Sequence, residues 1–199
     1  MSRHTLIRKI ALTGCKGHGK SLLASLITSN NKEFREMTFS SPIKDIVSSL
    51  FGLDDFCLND PYTKEEIVSE LGVSPRQLLQ VIGTELFRES LNKNLPSLKL
   101  RGGSIWIHLL SKKLDELEEI GIVVSDCRFP DEYNELKKRG FTVLKINRPE
   151  RVMDVKVNNT DCLNTLKHSS ESGCPFDFEI LNDGTPDDLY SKFLDAMNF

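Results

Sequence analysis

The stretch Gly14-Cys15-Lys16-Gly17-His18-Gly19-Lys20-Ser21 decides how this chain is read. It matches the spacing G-x-x-x-x-G-K-[ST]. It also lies between the apolar run Leu6-Ile7-Arg8-Lys9-Ile10-Ala11-Leu12-Thr13 and a segment whose apolar residues Leu22, Leu23, Leu26 and Ile27 share one helical face. Strand, glycine-rich loop and helix, in that order, make a phosphate cradle. The glycines let the backbone turn tightly with its N–H groups inward, and the helix that follows adds its positive N-terminal end. Lys20 is then the ammonium that reaches the β- and γ-phosphates of ATP, and Ser21 the hydroxyl that holds Mg²⁺. Gly14, Cys15, Lys16, Gly17, His18 and Gly19 complete the expected ATP-binding loop, with His18 a spacer rather than a catalyst.

Outward from this loop the pattern alternates. Residues 37–40 predict a short strand, and Ser41-Pro42 opens a helix by the cap-then-proline rule. A helix over 104–120 leads into a strand at 121–125. Pro130 begins a helix that stops at Gly140, and residues 141–146 and 176–181 read as the last two strands, before Thr185-Pro186 starts a C-terminal helix. Five strands separated by helices predict an α/β fold with a mostly parallel sheet covered on both faces. Two stretches break the rhythm: residues 41–103 hold more helix than one crossover needs, and 148–173 is polar, basic at its start and poor in periodicity. Insertions at the carboxyl ends of parallel strands are where such folds keep their chemistry. With no repeat and no interdomain linker, 1–199 reads as a single domain.

The 199 residues carry 26 Lys+Arg against 29 Asp+Glu, a formal charge of −3. That balance excludes a partner recognised by electrostatics alone, whether a nucleic-acid duplex or an anionic membrane. Hydrophobic residues make up 39% and charged residues 28%, which excludes wholesale disorder. No apolar run approaches the roughly 20 residues that span a bilayer, and Met1-Ser2-Arg3-His4 opens no long apolar signal segment. Cys15, Cys57, Cys127, Cys162 and Cys174 are odd in number and include no C-x-x-C pair, against both a disulfide framework and a zinc site. The expectation is a cytoplasmic protein with reduced thiols and small-molecule ligands, a monomer or homodimer.

A second charged cluster follows the strand at 121–125. Asp126 is placed to accept from a Mg²⁺-bound water, and Arg128 to fork onto phosphate oxygens; the bland alternative is a surface pair or a turn cap. Glu132 and Glu135 complement the next helix or face solvent. Ser74-Pro75 caps a helix on which Arg76, Gln80, Thr84 and Arg88 fall within roughly 120° at about 100° per residue, opposite Leu78, Leu79, Ile82 and Leu86. That polar stripe offers amide and guanidinium donors or is simply solvated, while Gly83 suggests close approach of a ligand or backbone. Trp106, the one tryptophan, is packed core or a base-stacking platform. Arg148 and Arg151, with His168, Ser170 and Glu171 further on, form either an arginine-bearing flap suited to phosphoryl transfer or a polar loop. Asn182-Asp183-Gly184-Thr185 is a turn with a helix cap, or a backbone edge for an adenine.

Taken in order, Gly14–Ser21, Phe39-Ser40-Ser41-Pro42-Ile43-Lys44, Arg76-Gln77-Leu78-Leu79-Gln80-Val81-Ile82-Gly83-Thr84-Glu85 with Arg88, Asp126-Cys127-Arg128-Phe129, His168-Ser169-Ser170-Glu171 and Asn182-Asp183-Gly184 resemble the deoxynucleoside monophosphate kinases of phages and large DNA viruses. The resemblance implies a P-loop nucleoside monophosphate kinase fold with strand order 2-3-1-4-5. It implies a core of 1–40, 104–147 and 174–199, a substrate-binding helical insertion at 41–103 and a lid at 148–173. It further implies transfer of the γ-phosphoryl of ATP to a deoxynucleoside monophosphate, with Mg²⁺. Arg76, Arg88 and Arg128 would hold the acceptor phosphate, Gln80 and Trp106 would face its base, and Lys44, Thr84 and Glu171 would complete that site. Arg148, Asp183 and Gly184 would border the donor adenine; Lys20, Asp126, Arg128 and Arg151 would be the catalytic set. The lid departs from the pattern by holding few cations after Arg151. The rival readings are a dephospho-coenzyme A kinase-like enzyme and an ATP-binding regulatory module without kinase turnover.

Overall fold

The computed structural model of the chain describes residues 8–117, 121–149 and 173–197. Arg151 and Glu171 lie outside the described residues, as do His168 and Ser170. The chain divides into two compact units, one of Met1–Thr38 with Glu116–Phe199, the other of Phe39–Asp115.

The first unit is built on five parallel strands in the order β2-β3-β1-β4-β5, as the resemblance implied. β1 (Lys9–Thr13) and β3 (Gly121–Val124) are almost wholly buried, the continuous apolar run expected of strands covered on both faces. Strand periodicity sends Ile10, Leu12, Val123, Leu144, Ile146 and Ile180 to one side. There they pack on Leu23 and Ile27 of α1 (Lys20–Asn30) and on Leu189, Phe193 and Met197 of the C-terminal helix α8 (Pro186–Met197). β4 (Thr142–Asn147) follows α7 (Pro130–Lys138), and β5 (Phe178–Leu181) closes the sheet.

β2 is Phe34–Met37, three residues ahead of the stretch expected as strand. The reason lies in its partner: Phe34, buried, pairs with Gly121, where any Cβ would come within 2.7 Å of the phenyl ring. β2 is an edge strand and wears exposed Arg35 and Glu36, charges that hide the strand from a search for apolar runs.

The second unit is helical. α2 (Ser41–Phe51), α3 (Asp55–Asn59), α4 (Pro75–Gln80) and its continuation bury Val47, Leu53, Leu58 and Ile82 against Ile43, Leu78, Leu79 and Phe87. Ser74 begins α4 with a reciprocal cap: its hydroxyl accepts from the Gln77 amide at 3.3 Å, and Gln77 Oε1 accepts from the Ser74 amide at 2.9 Å. α5 (Leu91–Asn94) ends that long helix, and α6 (Ile105–Asp115) closes the unit.

Asp177, just before β5, ties three elements of the first unit together. Its carboxylate accepts from the buried Val143 amide at 2.8 Å, from Lys137 Nζ at 2.7 Å and from the Tyr133 hydroxyl at 3.5 Å. The half-exposed ion pair is worth at most about 1 kcal/mol, whereas a buried amide left without an acceptor costs about 1–3 kcal/mol. Asp177→Ala is therefore expected to lower the unfolding free energy by about 1–3 kcal/mol and Lys137→Ala by under about 1. Urea titration of the two variants checks this, and equal losses would show that the ion pair carries the contact.

Candidate active site

β1 delivers the chain into residues 14–19 at the carboxyl end of the sheet, between β3 and β4, where open α/β sheets bind ligands. Gly14 has φ 130° and Gly19 φ 99°, both in the left-handed region. A Cβ on Gly14 would run into the Ile146 carbonyl oxygen, and one on Gly19 into the side-chain amide of Asn182. Both positions thus need glycine twice over, for conformation and for space. Lys20 opens α1 and turns its ammonium back onto the loop, donating to the carbonyls of Gly14 at 2.6 Å and Cys15 at 2.8 Å. Cys15 is half-buried; Lys16, Gly17 and Ser21 are exposed.

His18 does more than space the loop. It is buried, with Nδ1 at 3.3 Å from the Ile146 carbonyl and 3.2 Å from the Arg148 amide, so one tautomer donates to the first and the other accepts from the second. Its own carbonyl accepts from Asn182 Nδ2 at 2.9 Å. The loop is therefore fastened to the ends of both β4 and β5. Asn182 is the supporting residue that sequence reading missed, because Asn-Asp-Gly is also an ordinary turn signal; only its burial at the end of β5 distinguishes it. The remainder of that turn is a cap. Thr185 and Asp188 exchange hydrogen bonds at the start of α8, at 2.8 Å from the Thr185 amide and 3.2 Å from the Asp188 amide. Asp183, exposed, is held below the usual carboxylate range by its hydrogen bond from Lys192, and Gly184 lies close against Asp188.

Asp126 follows β3, the neighbour of β1, and is 8% exposed; the Cys127 amide donates to the Leu12 carbonyl at 3.1 Å and fixes the turn to β1. Arg128 is exposed. The amides of Arg128 and Phe129 both donate to Glu132 Oε2, at 2.8 and 3.2 Å, so Glu132 caps α7 from a buried position. Glu135 instead pairs with Arg139 and Lys138 on its own helix. Behind this turn, Cys127 Sγ lies 3.5 Å from Cys174 Sγ. Cys174 is lowered from the usual thiol range chiefly by the hydrogen bond it shares with Cys127, and Cys127 is raised by the same bond and then by burial. Among the described residues no three His, Cys, Asp or Glu cluster to hold a metal. One hydroxyl, Ser21, and one carboxylate, Asp126, are an all-oxygen donor set suited to Mg²⁺ that is shared with phosphates.

In the helical unit, Lys44 donates to Asn59 Oδ1 at 2.6 Å, and Arg76 pairs with Glu65 at 3.6 Å. The helix carrying the polar stripe differs from expectation. From Val81 to Ser90 it is a π-helix, with the Leu91 amide reaching back to the Leu86 carbonyl. A π-helix advances about 82° per residue instead of about 100°, so the stripe Arg76, Gln80, Thr84 and Arg88 tightens from roughly 120° to roughly 65°. The same change swaps two apolar residues. Leu86, expected in the core, is 51% exposed, and Phe87 packs in its place, 5.5 Å from the Trp106 ring. Gly83 faces inward, where an added Cβ would sit 2.9 Å from Ile43 Cδ1, and its carbonyl accepts from the Trp106 indole N–H at 2.7 Å. The close approach at Gly83 is thus made by side chains of the unit itself. Trp106 is 3% exposed and its one donor is spent on that helix, which is the packed-core alternative rather than an open stacking platform.

A glycine loop closed on an ammonium, beside a buried carboxylate and an exposed guanidinium on the next strand, defines a P-loop nucleotide-binding fold. The resemblance drawn from the motifs is borne out by curated relatives. The chain is 28% identical over 195 residues, 95% of either chain, to a protein of Acanthamoeba polyphaga mimivirus named putative deoxynucleotide monophosphate kinase. It is 27% identical over 112 residues to the deoxynucleoside-5'-monophosphate kinase of Escherichia phage T5, a match spanning 56% of this chain and 39% of that protein. No family model matches. Among solved structures, shikimate kinase from Aquifex aeolicus aligns over 95% of each chain at 18% identity and a TM-score of 0.49.

The π-helical register has a direct test in the pair Leu86 and Phe87. Leu86→Gln is expected to change stability by under about 0.5 kcal/mol, and Phe87→Ala to cost about 2 kcal/mol or more. Thermal or urea unfolding reads both, and the opposite ranking would restore the α-helical register.

Proposed function

We propose that this chain transfers the γ-phosphoryl of ATP to a deoxynucleoside monophosphate, giving ADP and the deoxynucleoside diphosphate. The observation that carries the reading is the phosphate loop: a full-length relative bears the same activity in its name, and here the loop is closed on Lys20 at the sheet's switch point. Lys20 now donates to two neutral carbonyls. Triphosphate oxygens offer it shorter, charge-assisted bonds, so the ammonium exchanges partners when ATP enters. The inward N–H groups of residues 14–19 and the start of α1 take the remaining phosphate charge.

Ser21 and, through water, Asp126 would hold Mg²⁺, which would neutralise phosphate charge. Arg128, at the exposed end of its turn, forks onto the transferring group. Its amide, like that of Phe129, is anchored by buried Glu132, so the turn carries the guanidinium on a fixed base. No strong general base is required, since positioning and electrostatics supply most of this chemistry. On the helical unit, Arg76, Arg88 and Lys44 are assigned to the acceptor phosphate, and Gln80 and Thr84 to its base. The Arg76–Glu65 pair, part-exposed and worth at most about 1 kcal/mol, is easily exchanged for a phosphate. Arg148 is assigned to the donor adenine side, next to His18. Trp106 serves by holding the π-helix at Gly83. The helical unit is read as the acceptor module and the sheet unit as the donor module. No helix among the described residues is long and apolar enough to cross a membrane, in keeping with a cytoplasmic site of action, the host cytoplasm for a viral protein.

The experiment is ADP release with Mg²⁺ and ATP over four deoxy- and four ribonucleoside monophosphates, with dephospho-coenzyme A alongside. Acceptor-dependent release with at least one deoxynucleoside monophosphate is expected, and Lys20→Ala should lower it by about 100-fold or more with unfolding unchanged. Release only with dephospho-coenzyme A would move the protein to that class of kinase. Release indifferent to every acceptor would make it an ATP-hydrolysing module.

A further inference from the structure

Cys127 and Cys174 have no part in the chemistry above, yet they are placed with care. Their sulfurs meet at 3.5 Å although 47 residues separate them in sequence, and both lie in the same compact unit. Cys127 is fully buried, its amide pinned to Leu12, and stands between Asp126 and Arg128. Cys174 is only part-buried, beside the carbonyls of Phe129 at 3.9 Å and Pro175 at 3.5 Å, four residues ahead of β5. One thiol is thus fixed in the site's turn and the other is reachable from outside. A disulfide needs the sulfurs at about 2.05 Å, so the part-buried partner must close a gap of about 1.5 Å.

We propose that Cys127 and Cys174 are a peroxide-oxidised thiol pair whose reversible disulfide acts as a brake on the Asp126–Arg128 turn. Cys174 is the attacking member, because it is the part-buried thiol that peroxide can reach, whereas Cys127 is fully buried. The Cys174 thiolate attacks one oxygen of hydrogen peroxide; the S–O bond forms, the O–O bond breaks, and hydroxide leaves and is protonated to water. The Cys127 sulfur then attacks the sulfenic sulfur of Cys174. The S–S bond forms, the S–O bond breaks, and the departing hydroxide takes the Cys127 proton as a second water. Two thiols lose two electrons and one peroxide becomes two waters; a dithiol reverses the change by exchange. The new bond draws on the turn that carries Asp126 and Arg128 on either side of Cys127. That consequence for turnover rests on the kinase reading, whereas formation of the disulfide does not.

The full chain is treated with equimolar hydrogen peroxide, alkylated, digested without reduction and mapped by mass spectrometry. A peptide pair joined through residues 127 and 174, two hydrogens lighter than its parts, is expected. It should vanish on treatment with dithiothreitol and in Cys174→Ser, while Cys15, Cys57 and Cys162 are recovered alkylated. Recovery of residues 127 and 174 as separate alkylated or sulfinic peptides would overturn the pair. In parallel, phosphoryl transfer should fall about tenfold on oxidation and return with dithiothreitol, small displacements of positioned groups being costly. Cys174→Ser should transfer at the unmodified rate and ignore peroxide. If that variant is inactivated equally, or if the crosslinked protein turns over unchanged, the brake is overturned. A crosslink in a protein that transfers to no acceptor would uphold the pair and overturn the kinase reading instead.

Discussion

Two glycines packed where no side chain fits are the constraint on which the site depends. Gly14 and Gly19 hold left-handed backbone while the Ile146 carbonyl and the Asn182 amide press against their α-carbons. That contact brings the end of β4, the end of β5 and the start of α1 to one point. Lys20, first residue of α1, then reaches back over the loop, and parallel pairing of β1 with β3 puts Asp126 at the adjacent strand end. Any larger residue at 14 or 19 must displace main chain or a buried amide, not a flexible surface group.

The groups that hold the site differ in kind from those that would do its work. His18, Asn182 and Glu132 are buried and spend their polar atoms on backbone, where a lost partner costs more than a made bond yields. Arg128, Lys16 and Ser21 are exposed at the same edge. A rigid inner set and a readily exchanged outer set is what binding of charged ligands requires, since the outer groups must trade water or weak partners for phosphate.

The π-helix in the second unit is the same economy applied to a helix. An α-helix drifts by about 40° every four residues, so four donors at that spacing would fan out over its surface. Widening the turn from Val81 to Ser90 offsets much of that drift and narrows the spread of Arg76, Gln80, Thr84 and Arg88 to roughly 65°. Phe87, Ile43 and the indole of Trp106 hold that wider turn from behind, at the one residue, Gly83, that leaves them room.

Local chemistry made the cradle, the caps at Ser74 and Glu132, and four of the five strands legible, because glycine spacing, capping residues and apolar runs act over a few neighbours. It misled where a partner outvoted propensity. Phe-Arg-Glu-Met became β2 through Gly121, a hundred-scale separation in sequence that no window sees; the 100° wheel put Leu86 in the core where the π-turn puts Phe87; and Trp106 offered a ring whose burial no motif reveals. What the chain by itself determined is the phosphate loop and the sheet that presents it. Only the tertiary structure decided that His18 and Asn182 lock that loop, that Cys127 meets Cys174, and that the polar stripe is narrowed, because each depends on what packs against a residue rather than on what adjoins it.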